Sequence, residues 1–247
     1  SPERYRADLA ALIAVTKPAA IITYPEFEAE VRAALREEDS VRSVIVAGQT
    51  EPQANVDFAS LKGFHRNPEE IVLLQHSSGT TGLQKGVALS HRAIFNQLNA
   101  YGKPLSLTGS DAIVSWLPLY HDMGLIAGFL MPILTGTPLV LMSPFDWVRA
   151  PYKLLQSIST YRGTLTWLPN FAYNFCAQKI RDRHIEGVDL SSLRAVINCS
   201  EPVRPESHVA FYERFKDYGL RLEALQTSYA MAENVFAVTQ SRLGSVP

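Results

Sequence analysis

Cysteine is scarce in this 247-residue chain, with only Cys176 and Cys199. Two thiols exclude a disulfide-stapled scaffold and a zinc site built from cysteine ligands, and they favour a reducing, cytoplasmic setting. Long apolar runs are also missing, since a membrane span needs ~18 or more uninterrupted apolar residues. The nearest stretch, 123–134, is short and broken by Gly124, Gly128 and Pro132. Charge of one sign is not in excess: Lys plus Arg number 23, Asp plus Glu 24, and the net charge is -1. A protein that grips a phosphate backbone usually shows a basic balance, so nucleic acid is not an expected partner. There is no internal repeat and no low-complexity tract.

What is present is an ordinary globular composition, 47% hydrophobic and 19% charged, which excludes wholesale disorder. The apolar periodicity predicts helices over 5–17 (Leu9, Leu12 and Ile13 on one face) and 27–36, and strands over 19–23, expected to be buried, and 41–47. A polar connection, 48–68, follows. Strands are then predicted over 71–75, 87–89, 112–116, 138–142, 165–167 and 193–198. Helices are predicted over 91–101 with Ser90 as N-cap, 122–134, 146–161 capped by Asp146, 170–183 capped by Asn170, and 205–215. Strands alternating with helices of this length imply an α/β fold with mainly parallel sheets flanked by helices. The expected organisation is a smaller part, 1–67, and a larger one, 68–247. Ligands of such sheets bind at the carboxyl ends of the strands, so the chemistry is expected in the loops there.

The most informative loop is Ser77-Ser78-Gly79-Thr80-Thr81-Gly82-Leu83-Gln84-Lys85-Gly86. Its glycines let several backbone N–H groups converge on one anion, its hydroxyls add donors, and Lys85 adds a positive charge suited to a polyphosphate. A polar hairpin would use similar residues. A Walker-type loop needs glycine just before the lysine, Ser or Thr after it, and then a helix. Here Gln84 precedes Lys85, Gly86 follows it, and a strand comes next.

Four further segments complete the pattern. They are Ser115-Trp116-Leu117-Pro118-Leu119-Tyr120-His121-Asp122-Met123-Gly124, Pro169-Asn170-Phe171-Ala172-Tyr173, Asn198-Cys199-Ser200-Glu201-Pro202-Val203-Arg204 and Ser228-Tyr229-Ala230-Met231-Ala232-Glu233. Taken singly, His121 reads as a structural histidine beside a cap, Glu233 as a surface acid, Tyr229 as core, and Cys199 as a small packed residue. Together with the loop, and in this order, they resemble the adenylate-forming superfamily of acyl-CoA synthetases, peptide-synthetase adenylation domains and luciferases. The form is closest to fatty acyl-AMP ligases.

The resemblance implies a large N-terminal, AMP-binding domain that joins a carboxylic acid to AMP from ATP and releases pyrophosphate. It places Ser77, Ser78, Gly79, Thr80, Thr81, Gly82 and Lys85 on the phosphates. Ser200, Glu201, Pro202, Ser228, Tyr229 and Ala230 fall around the adenosine, and Mg²⁺ on Glu233 and Thr81. His121, Asp122, Trp167 and Asn170 fall at the acid pocket, with Thr81, Lys85, His121 and Glu233 as the catalytic set. The implied partners are a carboxylic acid, expected to be fatty, and a thiol acceptor on an acyl carrier protein or CoA. Alternatives are an acyl-CoA ligase for a short or aromatic acid, and a non-catalytic nucleotide- or acyl-adenylate-binding module. The family pattern carries proline where Gln84 stands and glycine where Ala230 stands. Trp167 occupies a segment that often holds small residues, and is expected to narrow or redirect an acyl tunnel. The family's ribose-binding aspartate and C-terminal lysine lie downstream of its Tyr-x-x-x-Glu segment. The chain is therefore expected to be part of a longer enzyme and poorly active alone.

Overall fold

The computed structural model describes residues 2–49, 51, 55–76 and 86–246. The chain divides into two compact units, 1–65 and 66–247.

In the smaller unit, helix α1 (Pro2–Thr16) leads to strand β1 (Ala20–Thr23), helix α2 (Glu28–Ala34) and strand β2 (Ser43–Val46). β1 and β2 pair in parallel, Ala20 opposite Ser43. Ile13 on α1 and Val31 and Ala34 on α2 are buried, while Leu12 stays exposed. Strand β1 corrects the expectation of a buried strand: Thr23 is buried but Ile22 is 74% exposed. A two-stranded sheet covers one face of each strand and leaves the alternate side chains open.

The larger unit begins with an antiparallel hairpin, β3 (Ile71–His76) and β4 (Gly86–Ser90). Ser90 caps helix α3 (His91–Gly102) by accepting from the Ala93 N–H at 3.2 Å, as its sequence position predicts. Next come β5 (Ile113–Ser115) and a wide, π-type helix, Met123–Leu130, that continues as α4 (Met131–Thr135). They are followed by β6 (Leu139–Leu141), α5 (Pro144–Arg149), α6 (Tyr152–Tyr161), β7 (Leu165–Leu168) and α7 (Asn170–Lys179). The unit ends with β8 (Ala195–Asn198), α8 (Pro205–Phe215), β9 (Leu225–Ala230) and β10 (Ala237–Gln240).

Six of these strands form one sheet in the order β10-β9-β8-β7-β5-β6. All its pairings are parallel except β10 with β9. Every residue of β7 and β8 is buried, the signature of central parallel strands covered on both faces. Aromatic side chains tie the helices on. Tyr173 of α7 donates to the Val196 carbonyl at 3.0 Å, and Trp167 Nε1 donates to Tyr101 Oη of α3 at 2.9 Å. Trp116 and Trp147 stack with centroids 3.6 Å apart and planes 4° from parallel, flanked by Phe171 and Phe175.

Two helix starts differ from expectation. Asp146 does not cap a helix over 146–161. Ser143 caps α5 through the Phe145 N–H at 3.2 Å, and Pro151 separates α5 from α6. The residue before a proline is driven out of the helical region, and Ala150 sits at φ −144°. Asn170 does not cap α7 either, because its side chain is engaged elsewhere. α7 also ends at Lys179, short of residue 183.

Candidate active site

The parallel register places the carboxyl ends of β5, β7, β8 and β9 along one edge, with Leu168 opposite Asn198 and Asn198 opposite Thr227. Four of the five singled-out segments leave the sheet at this edge. The fifth, 77–85 between β3 and β4, lies outside the described residues. Ser77, Ser78, Gly79, Thr80, Thr81, Gly82 and Lys85 therefore enter only through the sequence.

After β5 the chain turns sharply through 116–121 and enters the π-type helix. Gly124 makes this possible: a Cβ there would lie 2.2 Å from the Pro118 carbonyl oxygen. Gly128 likewise faces Ser115 Oγ, which a Cβ would approach to 2.6 Å. The turn presents His121, half-buried, with Nδ1 2.7 Å from Asp122 Oδ1. The bond to Asp122 raises the imidazole above its ordinary value, against the opposing effect of burial. Asp122 also accepts from the Met123 N–H at 2.7 Å, so one carboxylate caps the helix and orients the histidine. Tyr120 beside them is 91% exposed.

After β7 and β8, a buried polar cluster holds the next two loops. Asn170 Oδ1 accepts from Asn198 Nδ2 and from the Arg204 N–H, both at 3.0 Å. Asn198 Nδ2 also reaches His208 Nε2 of α8 at 3.1 Å. Glu201 takes the capping role expected of Asn170, accepting from the Phe171 N–H at 3.0 Å. A carboxylate at a helix N-terminus is electrostatically favoured. Between them Ser200 adopts φ +70°. A non-glycine residue there is uncommon and marks a backbone held by its surroundings. Pro202 is exposed. Cys199 is buried with its thiol pushed up by burial, and Cys176 is pushed up to about 12, so neither suits nucleophilic work.

At β9, Ser228 is buried and donates to the Thr239 carbonyl at 2.8 Å. Tyr229 next to it turns a ring that is 59% exposed toward solvent, and Ala230 is half-buried. Ala232–Asn234 forms a short turn that leaves Glu233 exposed. Trp167 is fully buried between Tyr101 and the sheet. Two participants, His208 and Arg204, were given no part by the sequence, and Glu201 was given a different one. His208 and Arg204 act through long-range contacts that carry no local signal, and the capping role of Glu201 depends on a helix thirty residues upstream.

Residues 2–246 match the family model described as "AMP-binding enzyme". The chain belongs to the AMP-binding enzyme family. Among curated members it is 33% identical over 196 residues to the medium-chain-fatty-acid–[acyl-carrier-protein] ligase TtuA of Teredinibacter turnerae, covering 79% of this chain and 29% of TtuA. It is 32% identical over 179 residues to the long-chain-fatty-acid–AMP ligase FadD26 of Mycobacterium marinum, covering 70% of this chain and 31% of that protein. Its fold superposes on a fatty acyl-adenylate ligase of L. pneumophila, solved with acyl adenylate and pyrophosphate, with a TM-score of 0.80 and 32% identity. That match covers 96% of this chain and 41% of the other. The chain thus spans about a third of the length of the curated relatives it matches. Among the described residues no helix is long and apolar enough to cross a membrane.

Proposed function

We propose that this chain supplies the nucleotide- and acid-binding part of an enzyme that activates a carboxylic acid, most readily a fatty acid, with ATP. The products are an acyl-adenylate and pyrophosphate, and the acyl group then passes to a thiol of a carrier protein or CoA. One observation carries this reading. The segments that resemble the family's acid and adenosine motifs all leave the sheet at the carboxyl edge of four neighbouring strands.

In this reading the carboxylate attacks the α-phosphorus of ATP and pyrophosphate leaves, so the protein's work is positioning and charge stabilisation. His121, held by Asp122 and favoured in its charged form, suits the carboxylate end of the acid. The open ring of Tyr229 and the turn at Ser200, Glu201 and Pro202 suit the adenosine, beside Ser228 and Ala230. Ser77–Gly82 and Lys85 suit the phosphates. A hard divalent ion keeps most of its waters and takes few protein oxygens in such sites. The exposed carboxylate of Glu233 fits Mg²⁺ on those terms, with Thr81 as the second protein oxygen, and bound Mg²⁺ would neutralise charge on the phosphates. Trp167 and Asn170 would border the acid pocket, Trp167 limiting its depth from within the sheet.

The test is acid-dependent ATP–pyrophosphate exchange, on this chain and on the longest polypeptide its gene encodes, with acids from acetate to long fatty acids and benzoates. Exchange with one class of acid is the expected result for the longer polypeptide, and little or none for this chain alone. A folded longer polypeptide that exchanges with none of them would overturn the reading.

A further inference from the structure

We infer that His208 is a positioning residue for the adenosine-side loop 199–204, acting as a neutral imidazole whose Nε2 accepts a hydrogen bond from Asn198. The inference rests on the adenylate-forming reading above only for what that loop holds.

The protonation state follows from a chain of fixed donors. The Arg204 backbone N–H can only donate, so the Asn170 atom 3.0 Å away is its carbonyl oxygen. That oxygen also lies 3.0 Å from Asn198, so the atom Asn198 presents must be its NH₂ group. The same NH₂ is 3.1 Å from His208 Nε2, which therefore accepts, and the imidazole proton resides on Nδ1. Asn198 cannot turn its amide to suit a protonated Nε2 without setting its oxygen against that of Asn170. Among the described residues its Oδ1 is buried and without a partner, so the nitrogen alone fixes its orientation.

The surroundings favour this state. His208 is 8% exposed and its ring lies 4.9 Å from that of Tyr173, the titratable group of α7 stacked on it. Burial holds the Tyr173 phenol protonated and neutral. From β8 the imidazole meets the uncharged Asn198, and among the described residues no ion pair includes it. Burial then lowers its affinity for a second proton. Protonation would set donor against donor at Asn198 and loosen the Asn170–Arg204 clasp that closes the loop.

Two measurements test this. Nitrogen-edited NMR of the imidazoles in the wild-type chain should show His208 protonated at Nδ1 and bare at Nε2 at neutral pH. An Nε2–H tautomer would overturn the inference without any variant. As pH falls below the ordinary imidazole range, ATP affinity should weaken about threefold more in the wild type than in a variant that accepts at this position without titrating. His208→Gln is that variant: its amide oxygen accepts without titrating, so only the acid-side change due to His121 and to ATP's own phosphate should remain. An equal acid-side loss in His208→Gln would overturn the positioning role. ATP bound at no pH would overturn the adenosine reading, and with it that role, while the tautomer would still decide the hydrogen bond.

Discussion

The two edges of the six-stranded sheet are built from the same strands and treat polar groups in opposite ways. At the amino edge, residues just before β5, β7 and β8 close on one another. Asp111, almost fully buried, accepts from Arg194 at 2.5 Å, from Thr164 Oγ1 at 2.7 Å and from the Thr108 N–H at 2.9 Å. Arg194 also donates to the Leu105 carbonyl at 2.9 Å. At the carboxyl edge, Glu233 and Tyr229 face outward, Ser200 holds a left-handed backbone, and Asn198 keeps a buried oxygen without a partner among the described residues. One edge satisfies its charges internally and clamps three strands. The other leaves the carboxylate of Glu233 and the side chain of Tyr229 exposed. In a parallel sheet the loops at the carboxyl edge are the ones free to vary, because the opposite edge holds the strands in register.

The sharpest break of this contrast is Asp111→Ala. It leaves Arg194 without its carboxylate and should cost about 3 kcal/mol in denaturant unfolding. Burial alone would raise the Asp111 carboxyl, but the bonds from Thr164, Arg194 and Thr108 outweigh it and hold it below the usual carboxylate range. A lowered native value means the unfolded chain binds the proton first. The clamp's contribution is thus full above the ordinary carboxylate value and fades as pH falls through the lowered one. Acid titration of Asp111→Asn should lack that part of the loss.

Glu233→Gln examines the other edge. Its stability should stay within about 0.5 kcal/mol of wild type, while acyl-adenylate formation by the intact enzyme falls by about 100-fold. A large drop in stability would mean that the edge is structural after all. Gly124→Ala is smaller in its effect: the Cβ must push the 116–121 turn aside, at a cost of about 1–3 kcal/mol, with a raised KM for the acid. Smallest is Ser200→Gly, which relieves the left-handed backbone and should raise thermal stability by about 0.5 kcal/mol, offset in part by glycine's greater freedom when unfolded.

Legibility from sequence followed the range of the forces involved. Helix α8 runs over Pro205–Phe215 as its pattern predicts, and Ser90 caps α3, because a proline at the first turn and a serine before an apolar repeat act within one turn. The cap of α5 went to Ser143 rather than Asp146 because Pro151 shortens the available helix from the other end. The cap expected of Asn170 went to Glu201 because Asn198 and Arg204, which only the folded sheet brings near, engage the Asn170 side chain. The four described segments fall at the carboxyl ends of neighbouring strands, as the alternating pattern predicts. Which side chains hold the edge together was not legible, since those contacts span ten to thirty-four residues.

The stacked pair of Trp116 and Trp147 also gives the chain an optical signature. Of its three tryptophans, two lie face to face at 3.6 Å and the third, Trp167, is held alone against Tyr101. Indoles held rigidly in an asymmetric setting give near-ultraviolet circular dichroism, so the packed pair should contribute a band there. That band should vanish once tight packing is lost, even if helix content survives. The molecule therefore carries, without any label, a gauge of whether the turn after β5 is seated on α5 and α7.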